Sequence, residues 1–169
     1  MRYLHIIMPM AGEGSRFVNA GWTTPKPLIE LNGQPLFKHA INSVADKGIE
    51  MKYSFIVRHE HIEKYGIDKG IKSFLPTANI FSVVKTTRGA VETCLMAESA
   101  IIDDDAVIVM DCDMEFRSVK LIEIIKQQLS QPMEEANGGV LISFESDQPK
   151  YSYAEVGEDG YVMRTAEKE

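Results

Sequence analysis

Short apolar runs alternating with segments of helical period predict a layered α/β fold on a mostly parallel sheet. Three observations carry this reading: strand-length apolar runs recur along the chain, segments of 3.6-residue period lie between them, and no repeat, linker or low-complexity tract interrupts the series. At 169 residues the expectation is one domain, spanning 1–169. Tyr3 to Met8 reads as a buried first strand, with His5 a half-buried, hydrogen-bonded residue and Met8, Met10 and Met110 core filler at strand ends. Next, Leu36, Phe37, Ala40, Ile41, Val44 and Ala45 share one helix face, opened by Pro35 at a first-turn position. Lys52 to Val57 is a second strand. His59 to Phe74 is helical but broken by Gly66 and Gly70, and Asn79 to Lys85 is a third strand.

A helix over Ala90 to Ile102 turns Val91, Cys94, Leu95, Ile101 and Ile102 inward. Ala106 to Met110 is the fourth strand, and Val119 to Leu129 a helix with Ser118 as its N-cap. Val140 to Phe144 is a fifth strand, and Tyr153 to Val156 forms a hairpin with Tyr161 to Arg164 across Gly157-Glu158-Asp159-Gly160.

Composition excludes several functions. With 18 Lys and Arg against 25 Asp and Glu the formal charge is −7, and no basic run exists, so nucleic acid is not an expected partner. The apolar fraction of 44% supplies a core, yet no apolar run approaches the ~18–20 residues that cross a bilayer, so no membrane role is expected. Cys94 and Cys112 lack zinc-site spacing, and two free thiols in a reduced, cytoplasmic chain are the simpler reading.

The chemistry gathers after the first strand, where ligands bind in open α/β sheets. In Met10-Ala11-Gly12-Glu13-Gly14-Ser15-Arg16, the glycines let consecutive N–H groups face one anion, Ser15 adds a hydroxyl donor, and Arg16 brings a cationic fork suited to phosphate. Phe17 stands where a dinucleotide fingerprint needs a small residue, and the Gly-Lys-Ser/Thr of a P-loop is missing. Pro25 and Pro27 then clamp Lys26 near extended geometry, a fixed positive charge for a second phosphate. The fourth strand ends in Asp111-Cys112-Asp113, hard carboxylates suited to Mg²⁺ at the same sheet edge. His59-Glu60-His61 has no third ligand in register and reads as a surface helix start.

Gly12-x-Gly14-Ser15-Arg16 followed by Pro25-Lys26-Pro27-Leu28 resembles the signature of the sugar-phosphate nucleotidyltransferases, the nucleoside-diphosphate-sugar pyrophosphorylases. The resemblance implies a Rossmann-like, GT-A-like mixed sheet, mostly parallel and sandwiched by helices. It implies transfer of a nucleotidyl group from a nucleoside triphosphate to a sugar-1-phosphate or similar phosphorylated alcohol, with pyrophosphate released. Arg16, Lys26 and Asp113 would be the catalytic residues. Met10, Ala11, Gly12, Glu13, Gly14, Ser15 and Arg16 would bind the nucleotide, with Thr87, Gly89 and Ala90 at the base. Lys26, Tyr151, Ser152, Glu167 and Lys168 would face the acceptor, although Ser152 stands where the family has glycine.

Asp113 matches the family's Mg²⁺ ligand, and Asp111 is a second ligand or a partner of the metal's waters. The resemblance also implies polysaccharide precursor supply in the cytoplasm and places a homo-oligomer among the expected assemblies. Family members continue beyond the Glu-Lys pair, so the chain is expected to lack the C-terminal part. Two other readings stay open: a GT-A-type glycosyltransferase using a nucleotide-sugar, and a nucleotide-binding domain without turnover.

Overall fold

The computed structural model describes residues 2–102, 105–132 and 138–166. Two compact units divide the chain, Met1–Ala136 and Asn137–Glu169. In the first, elements follow in the order β1 (Leu4–Met10), α1 (Ser15–Asn19), a 3₁₀ turn (Lys26–Leu28), β2 (Glu30–Leu31), β3 (Gln34–Pro35), α2 (Leu36–Asn42), β4 (Met51–Arg58), α3 (His59–Tyr65), α4 (Ile67–Phe74), β5 (Asn79–Val83), α5 (Ala90–Leu95), a 3₁₀ turn (Glu98–Ala100), β6 (Ala106–Val109) and α6 (Val119–Ser130).

The central sheet has four parallel strands in the order β5-β4-β1-β6. All four carboxyl ends therefore meet one edge, and the order reverses direction between β1 and β6, where a crevice opens in such sheets. Pro9 fits this. The β1–β6 register runs only from Leu4↔Ala106 to Ile7↔Val109, so the residue without an N–H lies beyond the point where β6 leaves the ladder.

Burial follows the apolar pattern. On one face Phe37, Ala40, Ile41 and Val44 pack with Ile67, Ile71, Leu121 and Ile125 against Leu4, Ile6, Met8 and Phe55. The rings of Phe55 and Phe74 meet the edge of Phe37 at 5.9 and 6.1 Å. The other face is thinner, with Ile7, Ile56, Val83 and Ala97 at its centre.

Most elements stand near their expected positions, with instructive exceptions. Ser118 Oγ accepts the Leu121 N–H at 3.1 Å, the expected cap. Gly66, at φ 60, ends α3, but Gly70 lies inside α4 and breaks nothing, because its N–H reaches Gly66 O at 3.0 Å. The 90–102 helix is α5 plus a 3₁₀ turn, rotated so that Thr93 and Ala97 are buried while Val91, Leu95 and Ile102 are exposed. Thr93 Oγ1 lies 3.0 Å from Gly89 O and 2.6 Å from Thr87 Oγ1, so a polar anchor sets that rotation.

The second unit is an antiparallel pair, β7 (Tyr153–Val156) and β8 (Val162–Ala166), the expected hairpin with an irregularity at Glu155/Val156. Val140 to Phe144 is not a strand: the segment is irregular and its side chains are largely exposed. An apolar run becomes a strand only when another strand accepts its backbone groups, and among the described residues none pairs with it.

His5 is fully rather than half buried. Its Nε2 lies 2.9 Å from Ser54 Oγ, and its Nδ1 lies 3.9 Å from Asp105 Oδ2, which in turn holds Lys52 at 2.8 Å. Burial lowers the His5 pKa below the ordinary 6.5; the Asp105 carboxylate opposes the shift and Lys52 adds to it. An unfolded chain therefore takes up a proton near pH 6.5 that the folded chain refuses. Stability is fullest above that pH and falls as pH drops below it. Urea unfolding at stepped pH is expected to show this loss, with a flatter slope in His5→Gln. The residual slope comes from His61, whose pKa burial also lowers, and at more acidic pH from the Asp46, Glu60 and Asp105 carboxyls held below their usual range.

Candidate functional site

At the carboxyl edge of the sheet a cleft of about 560 Å³ collects the ends of β1, β4, β5 and β6. Its floor is the turn after β1. Met10, Ala11, Gly12, Glu13 and Gly14 line it, and no described acceptor takes the backbone N–H of Gly12, Glu13 or Gly14. Gly14 adopts φ 61 as it enters α1, a left-handed conformation that glycine reaches without the Cβ penalty.

The prolines do not hold Lys26 extended: Lys26 opens the 3₁₀ turn Lys26–Leu28, whose i→i+3 hydrogen bonds, rather than proline geometry alone, fix its backbone. Pro25 is extended at φ −55, ψ 138, Pro27 is buried, and Leu28 N–H donates to Pro25 O at 2.8 Å. An Asn32-Gly33 turn with both φ positive folds β2 onto β3, and Leu36 N–H reaches Ile29 O at 3.0 Å, tying the clamp to α2.

Lys26 Nζ meets Asp113 Oδ2 at 2.8 Å, both side chains about one-third exposed at 27% and 32%. Two segments far apart in sequence thus converge on the β1/β6 crevice. The chain after Asp113 is pinned to α2, since Phe116 N–H donates to Ser43 Oγ at 2.9 Å and Glu115 lies 3.3 Å from His39. Asp111 lines the cleft directly, whereas Asp113 stands behind Lys26. Strand alternation does not set their directions, because β6 ends at Val109 and Cys112 and Asp113 lie in a turn.

Cys112 is buried between them. Burial pushes its thiol up to about 12; Lys26 pulls the other way while Asp113 and Asp111 add to the rise. Such a thiol stays protonated and is no nucleophile.

Thr87, Gly89 and Ala90 line the β5 side, as the resemblance implies. Ser15 and Arg16 are exposed on α1 and are not among the lining residues. Tyr151 and Ser152 belong to the second unit, where the Tyr151 ring meets the edge of Phe144 at 5.1 Å. Glu167 and Lys168 lie outside the described residues.

Residues outside every motif of the sequence complete the cleft. Glu60, His61, Lys64 and Tyr65 of α3 form one wall, facing Trp22 and Thr23; Tyr65 donates to Thr23 O at 2.9 Å and so ties the walls together. His61 therefore belongs to the cleft wall and not merely to a surface helix start. The Arg58 guanidinium, 2.6 Å from Glu60, holds that carboxyl below its usual range. The signal was available: α3 follows β4, and the carboxyl-edge rule applies to that strand as much as to β1.

Among the described residues no three His, Cys, Asp or Glu side chains gather into a metal cage. Asp111 and Asp113 nevertheless fit Mg²⁺, which is commonly held by one or two carboxylates with substrate phosphates and water completing the shell.

Residues 6–151 match the family described as MobA-like NTP transferase domain. The 2-C-methyl-D-erythritol 4-phosphate cytidylyltransferase of Chromobacterium violaceum is 30% identical over 137 residues, 80% of this chain and 56% of the relative. The chain thus spans little more than half of that curated relative. A nucleoside-diphosphate-sugar pyrophosphorylase from Vibrio cholerae RC9 superposes with a TM-score of 0.65 at 26% identity, covering 97% of this chain and 67% of the other. The inositol-1-phosphate CTP transferase from T. maritima shares the fold, with a TM-score of 0.71 at 15% identity over 100% of this chain and 66% of its own.

Proposed function

The chain belongs to the MobA-like NTP transferase family, and on that premise we propose that it moves a nucleotidyl group from a nucleoside triphosphate to a sugar-1-phosphate or similar phosphorylated alcohol, releasing pyrophosphate. The observation that carries this reading is the convergence of the Gly12–Gly14 turn, Lys26 and Asp111 on one crevice, with Asp113 paired to Lys26 at 2.8 Å. Relatives named as a cytidylyltransferase and a nucleoside-diphosphate-sugar pyrophosphorylase support it.

In this reading the acceptor's phosphate oxygen attacks the α-phosphorus in line and pyrophosphate departs. Phosphoryl chemistry leaves the protein mainly positioning and charge stabilisation. The free amides of Gly12 to Gly14 hold departing phosphate oxygens, and Arg16, exposed on α1 just past that turn, adds a cation. Lys26, rooted in its 3₁₀ turn, offsets the charge that builds between the attacking phosphate and the α-phosphate. Thr87, Gly89 and Ala90 approach the base. Bound Mg²⁺, held by Asp113 with Asp111 beside it, would supply further neutralisation of the triphosphate. Provision of activated sugars in the cytoplasm belongs to the same proposal.

The test is a matrix of ATP, CTP, GTP, UTP and dTTP against sugar-1-phosphates and polyol phosphates with Mg²⁺, read as pyrophosphate. Release that requires one triphosphate together with one acceptor is the expected result. Absence of pyrophosphate from every combination, or turnover of a nucleotide-sugar instead, overturns the reading.

A further inference from the structure

The Lys26–Asp113 contact joins two groups that the proposed reaction assigns to opposite partners, an ammonium for phosphate and a carboxylate for a dication. Lys26 Nζ already lies 2.8 Å from Asp113 Oδ2, so the ammonium and the carboxylate offset each other's charge before any substrate-side partner arrives. Lys26 also lines the cleft, with its Nζ 5.9 Å from the centre of the Phe17 ring on the cleft wall. Two positions therefore lie within reach of one ammonium: the carboxylate, and the cleft where an anion would sit.

What can move is narrowly defined. The lysine backbone is held by buried Pro27, by the Leu28 N–H to Pro25 O bond at 2.8 Å and by the Ile29 N–H to Lys26 O bond at 3.2 Å. On the other side the Phe116 N–H to Ser43 Oγ bond fixes the chain after Asp113. The lysine side chain can exchange between partners while its backbone stays in place. A dication approaching Asp113 meets a carboxylate already neutralised by the ammonium beside it.

We propose that Lys26 and Asp113 form an electrostatic latch: without an anion in the cleft the ammonium occupies Asp113 and holds off a divalent cation, and an anion that draws the ammonium inward opens the carboxylate to the cation. The latch rests on the ligand roles given under Proposed function. Linkage makes it reciprocal, so a cation at Asp113 releases Lys26 for the anion and raises anion affinity by the same factor. A pair this exposed is worth a modest amount, so the coupling is expected at roughly threefold to tenfold.

The experiment titrates Mn²⁺ into the protein alone and follows free Mn²⁺ by electron paramagnetic resonance. A second titration adds sulfate, a weakly chelating anion, at constant ionic strength. Lys26→Met and Lys26→Gln are expected to bind Mn²⁺ roughly threefold to tenfold more tightly than the wild type. Sulfate is expected to tighten Mn²⁺ binding in the wild type and not in these variants. Adding Asp113→Asn to Lys26→Met is expected to abolish the gain.

Equal Mn²⁺ affinity in the wild type and both lysine variants overturns the latch, as does a sulfate effect of equal size with and without Lys26. The sulfate arm on the unaltered protein needs no variant to fold. None of these readouts requires turnover. A flat Mn²⁺ response in a protein that releases pyrophosphate sinks the latch alone, whereas an intact latch without pyrophosphate sinks the reaction alone.

Discussion

Lys26→Ala is expected to lower acceptor-dependent pyrophosphate release by roughly 10²–10³-fold, the usual cost of removing one preorganised charge stabiliser from a transition state. The size follows from the geometry around the side chain. A backbone fixed by the 3₁₀ turn and its flanking prolines means that Lys26 brings its charge to the reacting phosphates without a backbone rearrangement. The loss should fall mainly on kcat, because the charge it balances builds between the two phosphates as the bond forms. Lys26→Arg should recover part of the rate by keeping the charge while changing its reach and donor geometry. Steady-state pyrophosphate release under matched triphosphate and acceptor is the measurement. A Lys26→Ala protein within about threefold of wild-type turnover would remove Lys26 from the reacting phosphates, since that lies far below the loss of one such donor.

Phe37→Ala should destabilise the fold by about 3–5 kcal/mol, the range for truncating a fully buried aromatic side chain. Phe37 is 0% exposed and meets the rings of Phe55 on β4 and Phe74 on α4 edge-on. Deleting it empties the junction of three elements, and the backbone-fixed neighbours cannot collapse into the space. With total stabilities of about 5–15 kcal/mol, such a loss is a large share of the whole. The midpoint of thermal unfolding should drop by roughly 6–20 °C. The same change should weaken the cleft indirectly, because Phe37 sits one residue into α2, the helix that Ile29 and Phe116 tie to both the lysine clamp and the aspartate turn.

What the sequence disclosed divides along a physical line. Local chemistry was legible: Ser118 caps α6, Gly66 ends α3, and Tyr153 to Val156 forms its hairpin, each decided by neighbours in sequence. The four central strands were legible from their apolar runs, which in β1 and β4 reflect burial on both faces, whereas β6 leaves Val107 and Val109 exposed. Orientation was harder. Periodicity marked an apolar stripe on the helix after Gly89, but the hydrogen bonds of Thr93 turned another stripe inward and left Val91 and Leu95 outside. Val140 to Phe144 shows the limit of pattern, since the residues favour a strand and no described partner completes one.

The site shows the same division. Lys26 and Asp113 could be paired from topology, both belonging to segments delivered to one sheet edge. Glu60 and His61 read only as part of a metal pair lacking a third ligand, and Lys64 carries no motif, while the wall they form exists only once β4 sets α3 beside the turn after β1. Arg16 illustrates the reverse case: a donor in the expected motif that falls on α1, outside the lining residues.

The immobile root of Lys26 bears on time as well as on energy. A charge that changes partner by turning about its own side-chain bonds does so in picoseconds to nanoseconds when partly exposed, without waiting for a loop or domain to swing over microseconds or more. Exchange between carboxylate and anion would then be complete many times over within a single catalytic cycle. Whatever step paces this protein, the hand-over of that lysine will not be the slow one.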